Sequence, residues 1–229
     1  MKIPKHIAFI LDGNRRFAKK NKLLLMKGHN YGYETVKKLI EWCLEFKIKE
    51  LTLYVFSTEN FQRSKKEVNY IMGLFKKALN ELENHKKFNK IKIKIIGEKS
   101  LFPKEVQKSM DSITKNSKSH KTLKLNLAMG YSGRLEIIEA AKKIGKKLIE
   151  NKMKISQINE KSFKKELYLK SEPNLIIRTS ESRLSGFLTF QSVYSEIIFM
   201  LDKLWPEFTK EDFIWCLNEY TKRIRRYGK

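Results

Sequence analysis

Short apolar, β-branched runs alternate with longer amphipathic stretches along the chain, and that alternation narrows the possible folds more than any other feature. Runs at 7–11, 51–56, 91–96, 123–129, 175–178 and 197–200 read as strands. Stretches at 16–21, 33–46, 65–85, 104–116, 134–150, 160–168 and 210–225 read as helices. Within 33–46, Val36, Leu39, Ile40, Cys43 and Leu44 recur at helical spacing, with Lys37, Lys38, Glu41 and Glu45 between them. Strand alternating with helix implies a mainly parallel sheet covered on both faces. The expectation is therefore an α/β fold: one domain over residues 1–229, with a central sheet of about six strands flanked by helices. No internal repeat, no linker rich in Pro, Gly or Ser and no low-complexity block interrupts it.

In sheets of this kind ligands gather beyond the carboxyl ends of the strands. Four strand ends each deliver arginine with small or hydroxylic residues. They are Asp12-Gly13-Asn14-Arg15-Arg16, Ser57-Thr58-Glu59-Asn60-Phe61-Gln62-Arg63, Gly130-Tyr131-Ser132-Gly133-Arg134 and Arg178-Thr179-Ser180-Glu181-Ser182-Arg183-Leu184-Ser185. The first suits a polyphosphate shared with a divalent cation. A strand end before a helix offers free N–H groups and a positive dipole end. Gly13 allows close backbone approach, the arginines fork onto phosphate oxygens, and Asp12 is a hard oxygen ligand. Taken alone, the same run reads equally as a capped helix start, with Asn14 as the cap. Four such ends together favour an anion-binding cleft.

Charge supports this. The net charge is +24, from 49 basic and 25 acidic residues, which suits nucleic acid, an anionic membrane or an anionic substrate. Nine of the basic residues are arginines; the rest are lysines spread over almost every helix. A nucleic-acid module would cluster its basic residues on one face with interleaved aromatics. Here lysine is diffuse and arginine tracks strand ends, so no nucleic-acid partner is expected. Lysine pairs at 86–87, 142–143 and 146–147 could dock an anionic membrane, although a solvated surface is the plainer reading. Cys43 and Cys216 stand apart, and neither a membrane-spanning run nor a leader core is visible. A reduced, cytoplasmic setting is expected, with peripheral contact at the membrane as the variant.

At these segments, and at Gly28-His29, Tyr194-Ser195-Glu196, Leu204-Trp205-Pro206-Glu207-Phe208 and Arg226-Tyr227-Gly228, the chain resembles the cis-prenyltransferases, the family of undecaprenyl and dehydrodolichyl diphosphate synthases. That resemblance implies repeated addition of isopentenyl diphosphate to an allylic diphosphate (farnesyl or geranylgeranyl), with a cis double bond formed and diphosphate released each time. The product would serve as a precursor of a glycosyl-carrier lipid. It implies Mg²⁺ held by Asp12, with Glu196 as a second carboxylate near the interface of a homodimer. Gly13, Asn14, Arg15, Arg16, Phe17, Ser57, Glu59, Phe61 and Arg63 would contact substrate, the Gly13–Arg16 turn and Arg63 receiving the allylic diphosphate. Arg178, Arg183 and Ser185 would receive isopentenyl diphosphate, helped by Arg226 and Gly228 from a partner subunit. Asn60, Asp12 and His29 would sit where the proton is lost.

Three departures from the family pattern stand out. Leu25 replaces a frequent arginine, Ser180 a frequent glycine, and the 178–185 stretch is one residue shorter than the common bacterial form. The helical trans-type synthases bind metal through paired aspartates; here aspartate occurs only at 12, 111, 202 and 212, which excludes them. A long-chain product needs an apolar tunnel. The face formed by Val68, Ile71, Met72, Phe75, Leu79 and Leu82, with strand 123–129, reads equally as ordinary core or as that tunnel's wall.

Overall fold

The computed structural model describes residues 3–85 and 88–223. Six strands form one sheet: β1 (His6–Ile10), β2 (Glu50–Ser57), β3 (Ile91–Ile96), β4 (Leu123–Tyr131), β5 (Leu175–Thr179) and β6 (Glu196–Met200). Their order is β3-β4-β2-β1-β5-β6 and every pairing is parallel. Around them lie α1 (Asn14–Lys20), α2 (Leu25–Glu45), α3 (Lys65–Asn84), α4 (Lys104–Asn116), α5 (Gly133–Ile149), α6 (Glu160–Lys164) and α7 (Lys210–Lys222). The fold class read from the sequence is the one observed, including a sixth strand over the 197–200 run, which the structure places at the edge as β6.

Central strands of a parallel sheet are buried on both faces, so they read as near-continuous apolar runs. β1 and β5 are buried at every position. Side chains alternate between two cores. Ile7, Phe9, Leu51, Leu53, Leu125, Leu127 and Ile177 pack with α2, α3, α4 and α7 in the larger one. Ala8, Ile10, Ile96, Ala128 and Ile176 meet Leu169, Phe187 and Leu188 in the smaller.

The main difference from the sequence-based boundaries is α2, which begins at Leu25 and not near residue 33. Gly28 and Gly32 made that stretch look like a loop. Both are helical for a packing reason: a Cβ on Gly28 would sit 2.1 Å from the Asn14 carbonyl oxygen, and one on Gly32 would sit 2.2 Å from Asn14 Oδ1. The glycines let α1 lie directly against α2. At the other helices the differences are smaller. α6 stops at Lys164, short of the expected 168, and α7 runs to Lys222.

One polar network crosses the amino-terminal end of the sheet. His6 Nε2 lies 2.8 Å from Thr52 Oγ1, and Asn126 Nδ2 donates to both Thr52 Oγ1 and Glu50 Oε1. Burial lowers the His6 pKa to about 4. The unfolded chain, with an ordinary histidine value of 6.5, then binds the proton more tightly than the folded one. Stability is full above pH 6.5 and falls as pH drops towards 4. We expect His6 to account for about 3 kcal/mol of acid destabilisation across that window. Urea unfolding of His6→Gln at several pH values should show a flatter acid limb; an unchanged slope would refute the assignment.

Candidate active site

The carboxyl ends of β2, β1 and β5 lie side by side, and β1 carries the turn that organises them. Gly13 ends that turn with φ 114°, a left-handed conformation that favours glycine, and a Cβ there would fall 2.7 Å from Ser180 Oγ. The Asp12 carbonyl accepts hydrogen bonds from Thr179 Oγ1 (2.6 Å) and from the Trp205 amide (2.9 Å). Fastened in this way, the Asp12 carboxylate stands between two guanidinium groups. Arg178 Nη2 donates to Oδ2 at 2.9 Å, and Arg16 Nη2 lies 3.1 Å from Oδ1.

Arg178 is almost fully buried, its side chain 4% exposed. Nη1 donates to Ser185 Oγ (2.8 Å) and to the Arg183 carbonyl, while Nε has no partner among the described residues. Arg16 Nη1 donates to the Ser180 carbonyl (3.1 Å) and to Glu181 Oε1 (3.0 Å). Ser180, Ser185 and Leu188 all hold positive φ, at 71°, 47° and 48°. Local strain of this kind concentrates at functional sites. At Ser180 it explains why a glycine would be at ease there; the serine hydroxyl instead donates to the Asp12 carbonyl at 3.3 Å and the Lys203 carbonyl at 3.1 Å.

A second cationic group forms opposite, around Glu67, which is buried at the start of α3 under the Ser64 cap. Its Oε1 accepts from Arg63 Nη1 at 3.2 Å, lies 3.2 Å from His29 Nε2 and 3.9 Å from Arg15 Nε. One carboxylate thus aligns three basic side chains. Burial lowers the His29 pKa, opposed by the hydrogen bond to Glu67, while Arg63 lowers it further. Beside them, the Ser57 amide donates to Asn60 Oδ1 at 3.1 Å, which fixes the turn after β2.

Both groups open into a single cavity of about 920 Å³. Its mouth is polar, with Asp12 to Arg16, His29, Ser57, Glu59, Asn60, Arg63, Arg178 and Ser185. Its depth is apolar and follows α3 through Ile71, Leu74, Phe75, Ala78, Leu79 and Leu82, with Leu53, Leu127 and Met129 opposite. The face left open between core and tunnel is divided: those residues wall the cavity, while Val68 and Met72 do not line it.

Some expected site residues lie elsewhere. Phe17 packs on Tyr31, with ring centroids 5.2 Å apart, and Phe61 is taken up by Phe56 and Phe102; neither lines the cavity. The Arg183 guanidinium is largely exposed and pairs with Glu181 at 2.7 Å, outside the residues that line the cavity, while its carbonyl accepts from Arg178. Glu196 opens β6 in register with Leu175, at the opposite end of the sheet from Asp12, and pairs with Arg223 at 2.9 Å. The parallel register therefore prevents Glu196 and Asp12 of one chain from sharing an ion. Among the described residues no three His, Cys, Asp or Glu cluster as a metal site. Arg226 and Gly228 fall outside the described residues. Two contributors were missed in the sequence. Glu67 was signalled by Ser64-x-x-Glu67 and by its i,i+4 spacing from Arg63, and Tyr54, whose hydroxyl donates to the Ser185 carbonyl at 3.4 Å, by nothing but an ordinary strand position.

A cationic mouth above a long apolar recess defines a protein that holds a molecule with a polyanionic head and a hydrocarbon tail. The comparisons agree. The family model described as "Putative undecaprenyl diphosphate synthase" matches residues 10–228. A Pyrococcus horikoshii protein called tritrans,polycis-undecaprenyl-diphosphate synthase (geranylgeranyl-diphosphate specific) is 40% identical over 99% of this chain and 88% of its own length. An isoprenyl transferase from Thermotoga maritima is 42% identical over 100% of this chain and 98% of its own. The crystal structure of lavandulyl diphosphate synthase from Lavandula x intermedia, in complex with dimethylallyl diphosphate, superposes with a TM-score of 0.93 at 33% identity, covering 99% of each chain. The chain belongs to the undecaprenyl diphosphate synthase family of cis-prenyltransferases and is a prenyltransferase enzyme.

Glu67 has a measurable consequence. In Glu67→Gln the charge that raises the His29 pKa is removed while a hydrogen-bond acceptor is kept. The imidazole, followed by NMR, should titrate at lower pH than in the parent. An identical titration would show that the contact does not govern His29.

Proposed function

We propose that the enzyme condenses isopentenyl diphosphate sequentially onto an allylic diphosphate and releases a cis-polyprenyl diphosphate, the precursor of a glycosyl-carrier lipid. The observation that carries this reading is the continuity of one cavity from the Asp12–Arg178 mouth to the apolar wall of α3. Breaking the allylic C–O bond places negative charge on the leaving diphosphate, and fixed cations and N–H donors stabilise that charge more than the ground state. Arg15, Arg63 and the Gly13–Arg16 turn receive this group. Arg178, whose Nε has no partner among the described residues, and Ser185 receive the diphosphate of the incoming isopentenyl unit. New carbon–carbon bonding at the allylic carbon is followed by loss of a proton from the added unit. Asp12, Asn60 and His29 all line the cleft where that proton would leave.

Asp12 fits Mg²⁺ in one particular way. A single half-exposed carboxylate at the mouth is too few ligands for a resident ion, but Mg²⁺ commonly binds through one or two carboxylates plus substrate phosphates and waters. Asp12 would hold the ion together with a diphosphate, and the ion would supply a hard cation to the charge that develops there. A homodimer completes the site in this reading. β6 is an edge strand with Phe199 exposed, and Val193, Leu201 and Trp215 are exposed around it, a surface that a second copy would cover. That copy would bring Glu196 and the 226–228 segment towards its neighbour's cleft. Buried free thiols at Cys43 and Cys216 suit a cytoplasmic enzyme.

Labelled isopentenyl diphosphate incubated with farnesyl and geranylgeranyl primers tests the activity directly, and failure to extend either primer would overturn it. Asp12→Asn retains an acceptor for the arginines, so it should fold yet lose at least a hundredfold in turnover, as should the parent in EDTA until Mg²⁺ is restored. Turnover indifferent to both would remove the metal from the reading. α3 spans roughly 25 Å from Lys65 to Leu82 at the helical rise, and Ala78 lies on its tunnel face. Ala78→Phe should shorten the products seen by mass spectrometry without lowering primer binding.

A further inference from the structure

From Gly13 to Tyr33 the chain contains no aspartate or glutamate but carries Arg15, Arg16, Lys19, Lys20, Lys22 and Lys27. Within this segment, α1 ends at Lys20 and the chain reverses through Lys22, whose φ is 54°. The Leu23 amide then donates to the Ala18 carbonyl at 2.8 Å, and α2 starts with Leu24 as its cap. A tight, hydrogen-bonded reversal at the end of a 21-residue helix is a rigid mount. It displays apolar side chains: Leu24 is 70% exposed and Leu25 42%. Lys20 is held by Glu207 and Arg16 by Glu181, whereas Lys19, Lys22 and Lys27 make no ion pair among the described residues. Lys19 and Leu25 also line the mouth of the cavity, so the tip is continuous with the site.

Resting on the reading of the cavity as a site for a lipid diphosphate, we propose that the Lys19–Lys27 tip is a membrane-docking surface whose partner is an anionic bilayer. Leu24 and Leu25 enter the interfacial layer while Lys19, Lys22 and Lys27 meet lipid phosphates around them. Lysines near an anionic surface and apolar side chains buried at the headgroup boundary act together in such contacts. Docking here sets the mouth of the cavity against the layer from which an amphiphilic primer arrives and into which a long product leaves. The lysine pairs of α5 play no part: Lys143 and Lys147 are turned to Glu166 on the far side of the sheet.

Co-sedimentation with phosphatidylcholine vesicles, with and without phosphatidylglycerol, tests this on the whole chain in the absence of substrate. The parent should bind the anionic vesicles and leave the neutral ones. Leu24→Asp is the decisive variant because aspartate is a preferred helix cap, so the substitution supports α2 while it removes the apolar point. It should weaken anionic-vesicle binding about tenfold. Turnover of a short, soluble primer should be unchanged, since Leu24 does not line the cavity. A Lys142→Gln/Lys146→Gln double variant on α5 should bind vesicles like the parent. Binding unaffected by Leu24→Asp, or lost in the α5 variant, would overturn the proposal. An enzyme that docks but extends no primer would instead refute the reading of the cavity.

Discussion

Everything at the mouth of the cleft depends on the pairing of Asp12 with Arg178 across adjacent strands. A buried guanidinium needs a counter-charge and partners for most of its donors, because the desolvation of an unpaired charge costs several kcal/mol. Arg178 has the Asp12 carboxylate on Nη2 and Ser185 Oγ and the Arg183 carbonyl on Nη1, which leaves Nε as its one donor nitrogen without a partner among the described residues. The carboxylate comes from the β1 turn and the other two partners from the 180–188 loop, so the pairing brings those two segments into one register. The Asp12 carbonyl adds the Thr179 and Trp205 bonds, which tie in the segment before α7. What results is a rigid cationic rim whose charges are pre-oriented, the condition under which electrostatic stabilisation needs no further reorganisation.

Much of this was legible in the residues. The strand–helix alternation placed all six strands, because a parallel sheet imposes apolar continuity on its central members and amphipathicity on their connections. The rule that ligands gather at carboxyl strand ends picked out Asp12, Arg16, Arg63 and Arg178 before any geometry was known, and all four line one cavity. What escaped was everything decided by packing. Gly28 and Gly32 look like helix breakers until Asn14 is seen lying against them. Glu67 looks like a surface acid on a lysine-rich helix, yet it is buried under three basic groups. Glu196 fits a motif, but motif spacing says nothing about the end of a sheet at which a side chain stands.

The greasy face of α3 shows a limit of a different kind. Ile71, Phe75, Leu79 and Leu82 are buried by the measure applied to any core residue, and they also wall the cavity. Periodicity reports only that a face avoids water; whether another side chain or a ligand's tail meets it is settled by the opposite wall. Here that wall is Leu53, Leu127 and Met129, set far enough away to leave a channel.

The apolar part of the cavity is walled by Leu53, Ile71, Phe75, Leu79, Leu82, Leu127 and Met129, all members of the larger core, so core and cavity share the same side chains. Native interiors are otherwise packed as densely as organic crystals. The occupant therefore counts as a structural element, and whatever amphiphile fills the space shifts the folding equilibrium by mass action. A hydrocarbon tail bound along that wall would raise the melting temperature by an amount set by its concentration and affinity. Detergent carried through a purification would substitute for that lipid and alter the melting behaviour in proportion to its tail.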